Sequence, residues 1–118
     1  MARKRKKPTP TLSAFKGMWL FTLFDLPVGS TSARRAYTRF HHALIRQGFT
    51  MLQFSVYARY CASEEKSDAV KSKLQPYLPS AGQVRLVAIT DHQFGKMLVF
   101  EGKKRGHPED PPEQLLLF

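Results

Sequence analysis

Apolar and polar positions alternate along this chain with two different periods, and the changes between them mark out the elements. Met18-Trp19-Leu20-Phe21-Thr22-Leu23-Phe24-Asp25-Leu26 is apolar on both alternating faces. That pattern predicts a central strand covered on two sides. Pro27, which has no amide to donate, ends it. Gly29-Ser30-Thr31-Ser32 reads as loop and helix cap. From Ala33 to Gln47 the period becomes helical, with Ala36, Phe40, Ala43 and Leu44 on one apolar face and Gly48 as the stop. Phe49 to Tyr60 alternates again. Leu52, Phe54, Val56, Ala58 and Tyr60 share one side, and Met51, Gln53, Ser55, Tyr57 and Arg59 the other. This predicts a long half-buried strand, with room for a partner strand in its second half. A second helix is expected from Ser63 to about Tyr77, apolar at Ala69, Val70, Leu74 and Tyr77 and ended by Pro76 and Pro79. Gly82-Gln83 is a turn, Val84–Thr90 a third strand and Lys96–Glu101 a fourth. Gly102–Pro112 reads as a charged, Pro-rich linker before the apolar Gln114–Phe118.

The order implies an α+β protein, a ferredoxin-like βαββαβ sandwich with one antiparallel sheet and two helices on one face. The apolar tail fits an extra C-terminal strand, laid on its own sheet edge or on a neighbour's. Three regions are expected: a flexible basic arm over 1–16, the ferredoxin-like domain over 17–104, and a linker with its tail strand over 105–118. A chain of 118 residues fits one such core.

Charge narrows the partners. Nineteen Lys and Arg stand against nine Asp and Glu, a formal net charge of +10. Such an excess attracts polyanions, of which nucleic acid is the commonest. No run approaches the ~20 apolar residues of a spanning helix, so no membrane is expected. The basic Arg3-Lys4-Arg5-Lys6-Lys7 and the apolar Met18–Leu26 are too far apart for an export signal, Asp25 interrupts the apolar run, and no small-residue cleavage site follows. A cytoplasmic protein is expected. The lone cysteine, Cys61, excludes an intrachain disulfide and reads as a buried small residue. His41, His42, His92 and His107 have no zinc-site spacing.

Motifs for nucleotide, dinucleotide and zinc-protease chemistry are absent. Two features remain. Asp25 ends an otherwise apolar strand, either as a turn-initiating residue before Pro27 or as a metal-binding carboxylate. One carboxylate is a poor site for a hard cation, so the second reading needs another oxygen donor, which a two-fold dimer would supply. A homodimer is expected independently, because Trp19, Phe21, Leu23 and Asp25 on one face of the first strand and Met18, Leu20, Thr22, Phe24 and Leu26 on the other are both too apolar to leave wet. The second feature is cationic. Arg35, Arg39, His42 and Arg46 stand at i, i+4, i+7 and i+11 and form one stripe opposite the apolar face, with Arg34 beside it. A phosphate backbone would be held there without sequence readout. The residues of the N-terminal arm, Arg3, Lys4, Arg5, Lys6 and Lys7, read either as a further nucleic-acid contact or as a solvated tail.

A family resemblance is carried by Phe24-Asp25-Leu26-Pro27, Arg35-Ala36-Tyr37 with Phe40, Gly48-Phe49-Thr50-Met51 and Gln53-Phe54-Ser55-Val56-Tyr57. It continues through Val84-Arg85-Leu86, Thr90-Asp91-His92-Gln93-Phe94, Met97 and Phe100-Glu101-Gly102. Over about 17–104 the chain resembles the Cas-two family of CRISPR systems, most of all members from systems with a single large effector nuclease (type II). The resemblance implies a ferredoxin-like homodimer that bridges dimers of the Cas-one integrase in spacer acquisition and holds double-stranded DNA on its basic face. It also implies a Mg2+-dependent endonuclease acting on RNA or DNA, with the residue matching Asp25 as metal ligand and catalytic group from each chain. Where many members carry an acidic residue after the Ser-Val-aromatic motif, this sequence reads Ala58-Arg59. A competing expectation, without any CRISPR role, is a basic RNA- or ribosome-associated ferredoxin-like binding protein.

Overall fold

Strand β1 (Met18–Asp25) is the spine around which the rest is arranged. A computed structural model describes residues 17–112. The expected basic arm and the apolar Gln114–Phe118 lie outside them. β1 pairs antiparallel with β3 (Val56–Cys61) on one side and with β4 (Gln83–Thr90) on the other, and β2 (Thr50–Gln53) adds to β3. The sheet order β2-β3-β1-β4 is the antiparallel ferredoxin-like arrangement that the element order implied.

The even positions of β1 face the two long helices. Leu20 and Phe24 pack there with Phe40 and Leu44 of α1 (Thr31–Arg46), Tyr57 and Cys61 of β3, and Val70 and Leu74 of α2 (Glu64–Leu74). Each large apolar side chain buried in this way contributes about 1.5–3 kcal/mol. Cys61 is buried, as expected. Helix α1 starts before Ala33 because the Ser30 hydroxyl caps it, accepting from the Ala33 amide at 3.1 Å. Its C-terminus is closed by Gly48 at φ +86°, and by the Arg59 guanidinium, which donates to the Gln47 carbonyl at 2.9 Å.

Three expectations need correction. The segment read as one long strand over 49–60, with room for a partner strand in its second half, is two strands: β2 and β3 form a hairpin that turns at Phe54-Ser55, and β3 is that partner. Ser55 takes φ +64°, and its carbonyl accepts from the Phe24 amide at 3.1 Å. Serine at a left-handed position gives no Gly or Asn signal, so the alternation appeared continuous. In α2 the sheet is met by Ser67, Val70 and Leu74, whereas Ala69 and Tyr77 are exposed and Gln75–Tyr77 is a 3-10 turn. A small residue at 67 lets the helix close onto the sheet, and spacing alone favoured the more apolar alanine.

Lastly, the fourth strand expected at Lys96–Glu101 is shorter, β5 (Val99–Glu101), and is preceded by a short helix α3 (Asp91–Gly95) that the spacing did not announce. β5 pairs with β6 (Lys104–Gly106), inside the segment read as linker, and forms a separate two-stranded sheet turned at Gly102. The helix forms because Thr90 and Gln93 make a reciprocal capping box. The Gln93 amide donates to Thr90 Oγ1 at 3.0 Å, and the Thr90 amide donates to Gln93 Oε1 at 2.9 Å.

The odd positions of β1 point to the opposite sheet face. Part of its cover comes from within the chain, since the Phe94 ring of α3 stacks on Trp19 at 4.0 Å with 10° between planes. Beyond that cover, Phe21, Leu23 and Val56 remain half-buried and Val87 is 46% exposed.

Candidate nucleic-acid interface

The end of β1 is built by the sequence change from an apolar run to Asp25-Leu26-Pro27. Asp25 is the last paired residue and stands opposite Gln83. Leu26 turns back into the core, and Asp25 stays exposed. Behind it passes Gly82 at φ +85°, where a Cβ would collide with the Asp25 carbonyl oxygen and lie 2.9 Å from Leu26 Cδ2. Glycine is therefore required twice at that position, by dihedral and by clearance. The Asp25 side chain opens into a shallow hollow shared with Leu23, Phe24, Gln83 and Arg85. Among the described residues no three His, Cys, Asp or Glu side chains converge as a metal site. With Arg85 lining the same hollow, the donors of one chain do not make a magnesium site.

The cationic stripe forms on α1 as its spacing predicts. Arg34, Arg35, Arg39, His42 and Arg46 are all exposed, and Phe40, Ala43 and Leu44 are buried beneath. Thr31, Arg34, Arg35, Thr38 and Arg39 line a shallow open groove along the first half of the helix. Not every arginine is equally free. Arg34 donates to the Val28 carbonyl at 3.2 Å and to Thr31 Oγ1 at 3.4 Å, which ties it to the β1–α1 loop. Arg46 lies over the Tyr77 ring, 5.7 Å from its centroid, a cation–π contact at the surface. Helix α1 contains no Asp or Glu, so no carboxylate on it competes for these cations.

The fold separates the two predicted features. The Asp25 side chain falls on the sheet face away from the helices, and its hollow takes in none of the α1 arginines. Gln83 and Arg85 carry no signal in the sequence that links them to Asp25; only the β1–β4 register places them beside it. His41, likewise without a spacing signal, shares through its Nδ1 a 2.6 Å hydrogen bond with the Tyr57 hydroxyl. Burial pushes the Tyr57 phenol above its ordinary value, with Tyr37 adding a smaller effect in the same direction.

A family model described as CRISPR associated protein Cas2 matches residues 18–97, the span from the first residue of β1 to just past α3. The chain belongs to the Cas2 family. A Cas2 relative from Parvibaculum lavamentivorans, named CRISPR-associated endoribonuclease Cas2, is 46% identical over 101 residues, covering 86% of this chain and 100% of that one. Proteins of the same name from Flavobacterium psychrophilum and Ligilactobacillus salivarius are 37% and 33% identical, over 91% and 86% of this chain and 93% and 100% of theirs. A solved structure described as the crystal structure of cas2 superposes with a TM-score of 0.50 at 18% identity, covering 82% of this chain and 95% of that one, and supports the fold. In this Cas2-family chain, Thr90-Asp91-His92-Gln93-Phe94 has a plain structural task. Thr90 and Gln93 cap α3, Asp91 accepts from Trp19, and Phe94 covers the Trp19 indole. No helix among the described residues is long and apolar enough to cross a membrane.

Proposed function

We propose that two copies of this chain form a nucleic-acid-binding dimer that serves CRISPR spacer acquisition by bridging dimers of the Cas-one integrase. Double-stranded DNA would lie along the cationic helices. The observation that carries this reading is the exposed stripe Arg35, Arg39, His42 and Arg46 on a helix without an acidic residue. Guanidinium groups at successive turns neutralise phosphates without reading bases, as a bridging subunit requires. Dimerisation is supported by the apolar remainder of the odd sheet face, where Phe21, Leu23, Val56 and Val87 keep exposed surface. The basic arm, Arg3 to Lys7, would add phosphate contacts.

The test is co-purification with a Cas-one integrase, followed by duplex binding measured across salt. Arg35→Glu with Arg39→Glu is expected to abolish duplex binding, and Asp25→Ala to leave it intact. Duplex binding that is indifferent to salt overturns the reading.

A second reading is a Mg2+-dependent endonuclease, favoured by the exposed carboxylate of Asp25 and by the relatives' name, endoribonuclease. Asp25 from each of two copies would hold the ion, which when bound activates water and offsets phosphate charge. The two carboxylates repel each other without it. Cleavage of RNA or DNA is expected to need Mg2+ and to vanish in Asp25→Ala. Activity that survives this substitution sinks the reading.

A further inference from the structure

An aromatic side chain stands bare beside the cationic helix. Phe54 is 76% exposed, more than any other large apolar residue described. It is held firmly in that position. The following residue, Ser55, is fixed at φ +64° and is tied by its carbonyl to the Phe24 amide, one residue before Asp25. On the inner side, the Phe54 ring lies nearly parallel to Tyr37 of α1, with centroids 6.2 Å apart and 19° between planes. Tyr37 is itself braced edge-on by the core residue Phe24, at 5.8 Å. The ring therefore has a backing and an open outer side. Arg34, one turn before Tyr37 on the same helix flank, is exposed and anchored to the β1–α1 loop. A flat apolar ring in water, with a guanidinium one helical turn from the ring that backs it, suits a nucleobase whose phosphate is held by the cation. A protein partner is favoured less, because the charged side chains that α1 exposes are all cations and no acid accompanies them.

We propose that Phe54, backed by Tyr37, is a stacking platform for an unpaired base. The end of the sheet that carries Asp25 would thus engage single-stranded nucleic acid, separately from the duplex held along the α1 stripe. The inference rests on the nucleic-acid reading above and adds a base-contacting residue to it. Every base has a π-face, so the platform would not select sequence. It would select strandedness, because a base within a duplex is already stacked and cannot reach the ring.

The experiment is fluorescence anisotropy of the full chain with a labelled single-stranded RNA oligonucleotide and, separately, a duplex of equal length. Phe54→Ala is expected to weaken single-strand binding about tenfold, the weight of one stacked base, and to leave duplex affinity within about twofold. Phe54→Trp is expected to restore single-strand binding. Equal losses on both substrates, or no loss on either, overturn the inference. So does a change of oligomeric state in Phe54→Ala by sedimentation, because the ring would then belong to a contact between copies. The paired Arg35→Glu and Arg39→Glu variant separates the two levels. If the unaltered chain binds neither substrate, the nucleic-acid reading fails and the platform fails with it. If the paired variant removes duplex binding while Phe54→Ala changes nothing, only the platform fails.

Discussion

The Trp19 indole nitrogen donates to Asp91 Oδ1 at 2.7 Å across 72 residues of chain, joining the start of the central strand to the first turn of α3. The same indole is stacked by Phe94 from that helix and met edge-on by Tyr60 at 5.5 Å. The bond therefore lies within an aromatic cluster that fixes α3 over the sheet. Asp91→Ala leaves the indole N–H without its acceptor, and is expected to cost about 1–3 kcal/mol. Trp19→Ala also removes the stack, and is expected to cost about 3–5 kcal/mol. Urea denaturation at neutral pH reads both, and equal losses for the two variants would contradict this arrangement.

Gly82 controls the position of Asp25 without touching a ligand. Gly82→Ala forces a Cβ against the Asp25 carbonyl and places a side chain at φ +85°. Strain of this kind costs about 1–3 kcal/mol, before the strand end moves to relieve the collision. Thermal denaturation is expected to show the loss, and any Mg2+-dependent cleavage should fall together with it. A fully stable Gly82→Ala protein would show that the end of β1 is less constrained than its geometry indicates.

The phosphate contacts can be counted by salt dependence. Each cation that releases a counterion contributes about 0.9 to the slope of log affinity against log salt on duplex DNA. Replacing Arg39 alone by Gln is expected to lower that slope by about 0.9, with affinity falling similarly for unrelated sequences. Arg34→Gln is expected to do more, because it also releases the β1–α1 loop from its bond to the Val28 carbonyl. A slope unchanged in both variants would remove the stripe from the interface.

High pH should destabilise the protein through the buried phenol of Tyr57 and the half-buried one of Tyr60. Tyr57 and Tyr60 are both raised above the ordinary tyrosine value, first by burial; Asp91 and Cys61 add to the effect at Tyr60. A group whose folded value lies above its unfolded one contributes stability that is complete below the unfolded value, about 10 for tyrosine. That stability is lost as pH rises through the folded value. Cys61, raised by burial and partly opposed by Arg59, acts in the same direction from a lower starting point. Denaturation midpoints are expected to hold to about pH 8.5 and then decline, more gently in Tyr57→Phe. A midpoint that rises between pH 9 and about 11 would reverse the sign.

Period and termination carried much of this fold into view before any coordinates. Two apolar faces on Met18–Leu26 require a central strand, and β1 is paired on both sides. The arginines of α1 fell on an exposed face because helical spacing leaves little choice once Phe40 and Leu44 are buried. What escaped notice was local chemistry that does not depend on hydrophobicity. The turn at Phe54-Ser55 uses a serine where glycine or asparagine is the usual sign. The α3 cap was written in the sequence as Thr90-Asp91-His92-Gln93, a Thr-x-x-Gln pattern that identifies a helix start more surely than the apolar spacing after it. The surroundings of Asp25 could not be seen without the register, since Gln83 and Arg85 reach it across strands.

Because β1 is hydrogen-bonded along both edges, and its second neighbour arrives only with Gln83–Thr90, a ribosome that has not yet released β4 leaves the middle of the future sheet with one side open. That bare edge is long, apolar and able to pair with any extended chain. Synthesis of this protein is therefore most vulnerable to aggregation in the interval after β1 and β3 have emerged and before β4 closes the open edge.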